Sequence, residues 1–147
     1  MTGPETTPAA TRQDDPSAAA RRDPERTRGE ILDAAIDEFS ARGLLGGRID
    51  AIAERTATTK RMIYYYFGSR EGLYAAALED AYRGIRDAER ALDLAHLSPP
   101  DAIRHLVSFT LDYYHAHPSF VALVVAENQS GGRHIRGLGD HFDVLLG

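Results

Sequence analysis

Apolar residues recur at helical spacing along most of the chain. Ile31, Ala35 and Phe39 stand at i, i+4 and i+8 with Leu32 and Ile36 beside them, while Glu30, Asp33, Asp37 and Glu38 lie largely elsewhere. This spacing predicts a long first helix, and Gly43 supplies its C-terminal stop. Ile49, Ile52 and Ala53 restart the pattern for a turn or two over about 49–56. TATT separates them from a third short helix over about 60–67, with Thr59 as its N-cap and Gly68 as its terminator. Ser69 then caps a long fourth helix, in which Leu73, Ala77 and Ala81 share a face that Ile85 and Leu92 continue.

SPP at 98–100 marks a break and a fresh start, since proline is tolerated in a first helical turn. Ile103, Leu106, Val107, Thr110, Leu111 and Tyr114 follow in helical register until HP at 117–118. FVALVVAEN, from Phe120, is apolar almost all round, which predicts a helix buried on several sides. GG at 131–132 breaks it, and His134 to Leu146 reads as one more helix, weakened by Gly137 and Gly139. No stretch reads as a strand, so the predicted fold class is all-α. Residues 1–24 hold almost no large apolar side chain and are expected to form a disordered arm. Arg21, Arg22, Arg26 and Arg28 close that arm. They serve either as a solvated tail or as a basic arm reaching a DNA groove.

The chemistry concentrates in TTKRMIYYYFGSREGLY, residues 58–74. Two short helices joined by a tight turn and braced by a longer one are the parts of a helix-turn-helix. At about 100° per residue, Lys60, Arg61, Tyr64 and Tyr65 form one stripe, and Ile63, Tyr66 and Phe67 another. Ile63 and Phe67 are therefore expected to face the braces, and the cations and phenols to face outward. Such a surface matches guanine edges and phosphate oxygens. A core or dimer seam would account for Phe67 and Tyr66, but not for Lys60 and Arg61 beside Tyr64 and Tyr65.

The net charge of −5 opposes a nucleic-acid partner until it is divided along the chain. Residues 1–20 carry −2, residues 21–70 hold ten Lys/Arg against eight Asp/Glu for +2, and residues 71–147 hold six against eleven for −5. The positive share thus surrounds the cation-and-tyrosine stretch. Hydrophobic residues make up 43% and charged residues 27%, the balance of a soluble globular chain. No apolar run approaches the ~20 residues of a membrane span. No secretory signal is expected either. The absence of cysteine excludes disulfides and thiol chemistry and accords with a cytoplasmic protein.

The stretch from about Arg26 to Leu78 resembles the tetracycline-repressor (TetR) family of bacterial regulators. The resemblance is carried by ILDAAIDEFSARG and RIDAIAERTATTKRMIYYYFGSREGLYAAAL, with the IA pair at 52–53, Tyr-x-Tyr-Phe at 64–67 and Ser-basic-Glu-x-Leu at 69–73. It implies a helix-turn-helix DNA-binding domain over 25–70 and a helical effector-binding and dimerisation domain over 71–147. It also implies that helix 60–67 is the recognition helix, with Lys60, Arg61 and Tyr65 as candidates for base edges and Tyr64 for a phosphate. Arg70, at the start of the fourth helix, matches the family's basic residue and is expected to hold a phosphate. The DNA-binding set is thus Arg48, Thr59, Lys60, Arg61, Tyr64, Tyr65 and Arg70. Three departures stand out. Ala57 and Thr58 replace a usual Gly and apolar residue in the turn. Arg48 stands where a capping Ser or Thr is common and offers a phosphate contact instead, and Arg61 enlarges the recognition surface.

For the second half the resemblance implies a fold and a role, but no ligand. Phe109, Tyr113, Tyr114, His117, Phe120, Glu127 and Asn128 are the candidates for an effector pocket with apolar walls and polar anchors. Ordinary helix packing is the alternative for each aromatic. Glu127 follows a strongly apolar helix, so its carboxylate needs a partner, either His117, Arg104 or Arg133 or the effector itself. Of the histidines, His115 and His117 point to different faces, and His134 and His141 share one. Without cysteine or HExxH, neither a metal nor another cofactor is expected. No nucleophile elbow or triad spacing suggests an enzyme. The expected partners are a double-stranded DNA operator, a small-molecule effector and a second copy of the chain, with no membrane. The chain ends at DVLLG in mid-pattern, before two helices that family members usually add as a dimer seam. It is expected to be a shortened form or to dimerise through another surface. The predicted function is a ligand-responsive transcriptional regulator, a repressor. The alternatives are a small helical ligand-binding protein or enzyme with a vestigial DNA-binding head, or a truncated partner forming inactive mixed dimers.

Overall fold

The structure, a computed structural model, describes residues 23–137. Among them seven helices follow in chain order: α1 (Pro24–Gly46), α2 (Ile49–Arg55), α3 (Lys60–Phe67), α4 (Arg70–Arg90), α5 (Pro99–Ala116), α6 (Pro118–Gln129) and α7 (Arg133–Gly137). No strand occurs among the described residues, and the fold is all-α. The expected arm over 1–24 lies mostly outside the described residues, but Asp23 caps α1 and Pro24 begins it. Asp23 caps the helix by accepting the Glu25 N–H at 3.1 Å, and Pro24 occupies the first turn. Arg26 and Glu30 then pair at 3.0 Å one turn apart. These contacts are local and polar, so a hydrophobic period that starts at Ile31 does not register them.

Helix α1 is the central brace. Ile31, Ala35 and Phe39 are fully buried, and the helix packs most extensively on α4 and α6 and less on α2. Gly43, at φ 71°, breaks α1 just before its last turn, and its carbonyl accepts the Gly47 N–H at 3.0 Å. Phe39 meets Tyr74 of α4 edge-to-face at 5.2 Å. Leu73, Ala77, Leu78, Ala81 and Ile85 form the buried stripe of α4, as its period predicts, while Leu92 falls beyond the helix end and is half-buried. The same cluster runs without a break from Ile31 through Ile52 and Ile63 to Phe120 and Leu123. The expected boundary between residues 70 and 71 is therefore no gap in packing, because α1 contacts the C-terminal helices directly.

Two helices of the second half are less enclosed than their sequences predict. Helix α5 contains no buried residue, and Ile103 is 64% exposed. Helix α6 buries one face, Phe120, Leu123 and Glu127, while Val125 stays 47% exposed. Its apolar run exceeds what α1, α4 and α5 can cover.

Glu127 is fully buried and ties α4, α6 and α7 together. Its Oε1 accepts the backbone N–H of His134 at 2.7 Å and of Ile135 at 3.2 Å, so it caps the start of α7. Its Oε2 accepts the Tyr74 hydroxyl at 3.0 Å and lies 3.3 Å from His134 Nδ1. The partners anticipated from sequence, His117, Arg104 and Arg133, are not those found. Arg104 pairs with Asp101 at 3.0 Å, and the His117 ring N–H donates to the Tyr113 carbonyl at 2.9 Å. Burial pushes the Glu127 carboxyl up, but the His134 amide, the Tyr74 hydroxyl, the Ile135 amide and the His134 ring together hold it below its ordinary range. Burial, then the bond to Glu127, raises the Tyr74 hydroxyl.

In the turn between α2 and α3, Ala57 takes φ 50°, a left-handed conformation that costs a side-chain-bearing residue about 1–2 kcal/mol. Part of that strain is offset by the smaller unfolded-state entropy of Ala relative to Gly. Ala57→Gly is therefore expected to stabilise the chain by about 0.5–1 kcal/mol, read as a higher thermal midpoint. Glu127→Ala is expected to cost about 2–3 kcal/mol in urea unfolding, since it strands buried donors. A depressed carboxyl contributes stability above its ordinary value of 4.5 and loses it as pH falls through the lower folded value. The stability gap between wild type and Glu127→Gln is therefore expected to shrink on acidification below that range.

Candidate nucleic-acid interface

Helix α3 is short because both ends are closed locally. The Thr59 side chain accepts the Met62 N–H at 3.2 Å, and Gly68, at φ 80°, donates its N–H to the Tyr64 carbonyl at 2.8 Å. Ile63 is fully buried and seats the helix on α2 and α4. Phe67 is half-buried, with the Arg28 guanidinium 5.2 Å from its ring centroid. Arg28 and Arg26, expected in a basic arm, are thus engaged on α1, while Arg21 and Arg22 lie outside the described residues.

The outward edge of α3 carries Lys60, Arg61, Met62 and Tyr65, with Tyr65 80% exposed. Tyr64 is half-buried and packs against the core, so the boundary between inner and outer faces runs through it. Tyr65 stands edge-to-face with Tyr66 at 5.7 Å, which steadies its ring while leaving the hydroxyl free to project. Lys60 Nζ lies 3.5 Å from Asp50 Oδ1 of α2, an exposed ion pair that links the two short helices. Met62, 39% exposed, was not among the sequence candidates; its angular position on the flank of the stripe is the signal that identifies it.

Arg48 and Arg70 sit at the two helix starts nearest this edge. Arg48 is exposed and makes no side-chain cap for α2; the Glu38 carboxylate accepts its backbone N–H at 3.1 Å instead. Arg70 departs from its expected geometry. Its guanidinium is half-buried, with Nη1 donating to the Gly47 carbonyl and, at 3.4 Å, to the Leu44 carbonyl. The N-terminus of α4 is capped by Ser69, which accepts the Gly72 N–H at 2.9 Å. The arginine is thus turned toward the α1–α2 turn.

The residues predicted to form one effector pocket divide between two clefts. Tyr113, His117 and Phe120 line a cleft of about 380 Å³ between α1, α4 and the α5–α6 junction, with His117 stacked on Tyr113 at 3.9 Å. Phe109 supports Tyr113 from 5.8 Å, and Tyr114, 42% exposed, lies 6.1 Å from Phe120. Glu127 lines a second cleft of about 480 Å³ with Arg42, Tyr74, Arg133 and His134, and Asn128 is exposed and lines neither. The residues missed in the first cleft are Asp33, Asp37 and Asp80. In sequence they read only as polar positions of α1 and α4. Burial, then the neighbouring charges of Asp80 and Asp37, pushes the Asp33 carboxyl up. Asp37 also links distant elements, taking Arg55 of α2 at 2.9 Å and the Ser119 hydroxyl of α6 at 3.1 Å. Among the described residues no His, Asp and Glu group has the makings of a metal site, and His141 lies outside them. None of the described helices is long and apolar enough to cross a membrane.

Comparison with known proteins agrees with this geometry. The family model for bacterial regulatory proteins of the tetR family matches residues 31–77, and the tetracyclin repressor-like C-terminal domain matches residues 99–141. The HTH-type transcriptional repressor NicS of Pseudomonas putida is 46% identical over 112 residues, covering 76% of this chain and 53% of the relative. The repressor SCO4008 of Streptomyces coelicolor is 38% identical over 115 residues, covering 77% and 55%. The chain thus spans about half the length of these relatives. Among solved structures, a TetR-like transcriptional regulator from Rhodococcus sp. RHA1 superposes with a TM-score of 0.64 at 28% identity, covering 80% of this chain and 63% of that one. The two family models together span more than half of the sequence, and the chain belongs to the TetR family of bacterial regulators.

Proposed function

We propose that this chain reads double-stranded DNA as part of a ligand-responsive transcriptional repressor. The observation that carries the reading is the outward edge of α3, where Arg61 and Tyr65 project from a helix whose opposite face is anchored by the fully buried Ile63. A major groove admits one helix, and Arg is suited to the O6 and N7 edge of guanine. Lys60, Tyr64 and Arg48 lie around that edge and supply phosphate contacts; Lys60 exchanges Asp50 for a phosphate on binding. Two copies related by a two-fold axis would present their α3 helices to successive major grooves, ~34–36 Å apart. That two of the matched relatives are named as repressors supports repression over activation.

The effector in this reading enters the cleft of Tyr113, His117 and Phe120, which opens onto both α1 and α4. These helices also brace α2 and α3, so a ligand that spreads them changes the tilt of the reading edge. Asp37 sits where the two functions meet, because its carboxylate binds α2 and α6 through exposed contacts that are weak enough to exchange. Effector and operator then lower each other's affinity by the same factor.

The test is selection of duplexes from a random pool by the purified chain, followed by titration of the enriched sequence. Arg61→Ala and Tyr65→Ala are each expected to weaken binding about 5- to 150-fold, equivalent to about 1–3 kcal/mol. Both positions are exposed, so thermal midpoints are expected to shift by no more than about 0.5 kcal/mol allows. Variants that bind the enriched duplex as tightly as wild type would overturn the assignment of this edge.

A further inference from the structure

The start of α2 lacks the usual means of fixing a helix. Its N-cap residue is Arg48, whose side chain makes no capping bond. Yet the peptide unit between Gly47 and Arg48 is held at both poles by side chains from two other helices. Its C=O, that of Gly47, accepts from the Arg70 guanidinium of α4, and its N–H, that of Arg48, donates to Glu38 Oε1 of α1 at 3.1 Å. The same oxygen of Glu38 lies 3.2 Å from Arg42 Nε, and the residue is only 7% exposed. Phe39 closes the third side. A Cβ at Gly47 would stand 2.5 Å from Phe39 Cδ1, so the backbone lies directly on the ring.

We infer that Glu38 and Arg70 are a pair of positioning residues that set the angle at which α2, and with it the reading helix α3, leaves the body. The inference rests on the DNA-reading function proposed above and assigns Arg70 a role other than phosphate contact. One rigid peptide plane cannot rotate while its carbonyl is tied to α4 and its amide to α1. Ile49, the next residue, is buried, and α2 continues from that plane as a single short rod. The four-residue TATT turn then carries the direction of α2 into α3. Loosening either tie lets the rod swing while Ile52 and Ile63 stay in the core. The reading edge loses its match to the groove, although its charge is unchanged.

Charge and angle separate in experiment. Arg70→Met and Glu38→Leu, in the full 147-residue chain, are titrated against the enriched duplex and against an unrelated duplex of equal length. Each is expected to weaken the enriched duplex about tenfold, with the unrelated duplex within about twofold and the salt slope unchanged. The double variant is expected to lose little more than either single one, because both ties hold one unit. Glu38→Gln keeps an acceptor for the Arg48 N–H and is expected to bind nearly as wild type. Hydrogen exchange without DNA is expected to quicken over 48–55 in Arg70→Met while α4 stays protected. Equal weakening of both duplexes by Arg70→Met, with the salt slope reduced by about one, would make Arg70 a phosphate contact and overturn the pairing. So would Glu38→Gln as weak as Glu38→Leu, or uniform loss of exchange protection across the molecule. If wild type enriches no duplex, the DNA-reading function fails; quickened exchange confined to 48–55 still supports the two ties, and unchanged exchange there overturns them.

Discussion

The ring of Phe39 joins the parts of this molecule on which the proposed reading of DNA depends. It is fully buried on α1, stands edge-to-face with Tyr74 of α4, and leaves no room for a side chain at Gly47. Three directions of the chain are therefore referred to one aromatic plane: the brace, the long connecting helix and the turn that launches α2. On the other side of Tyr74, His134 of α7 contacts the ring at 4.9 Å, and the Tyr74 hydroxyl is bound by Glu127 of α6. Packed rings and short polar bonds thus run without a gap from the C-terminal helices to α1.

That continuity changes how the two halves of the chain relate. The helix-turn-helix is not a head tethered only by α4. Helix α1 lies against α6, and the core cluster includes residues of both halves. The cleft between α1, α4 and the α5–α6 junction accordingly touches both supports of α3 at once. The apolar face of α5 and the outer face of α6 remain uncovered among the described residues, whereas the face of α6 turned toward α1 is closed.

Much of this architecture was legible from residue spacing. The bounds of α3, its caps at Thr59 and Gly68, the buried stripe of α4 and the burial of Ile63 all follow from period and end-group chemistry within a few neighbouring residues. The outward position of Arg61 and Tyr65 follows in the same way. Tyr64 was less legible, because a residue at the margin of a helical face is assigned by what packs beside it. The convergence of Asp33, Asp37 and Asp80, and the division of the expected pocket residues between two clefts, depend on helix angles that periodicity does not contain.

By itself, then, the amino-acid order determined the helical character of the described segments, the bounds of α3, and which edge of α3 carries cations and phenols. These are short-range properties, set by hydrogen bonds and faces within one or two turns. Only the tertiary structure decided the partners of the charged groups. Glu127 met Tyr74 and the start of α7 instead of an arginine, Glu38 met the amide of Arg48, and Arg70 turned to the carbonyls of Leu44 and Gly47. A long side chain samples many contacts of similar energy, and the nearest buried group left without a partner settles the choice. Which group that is depends on how the helices cross.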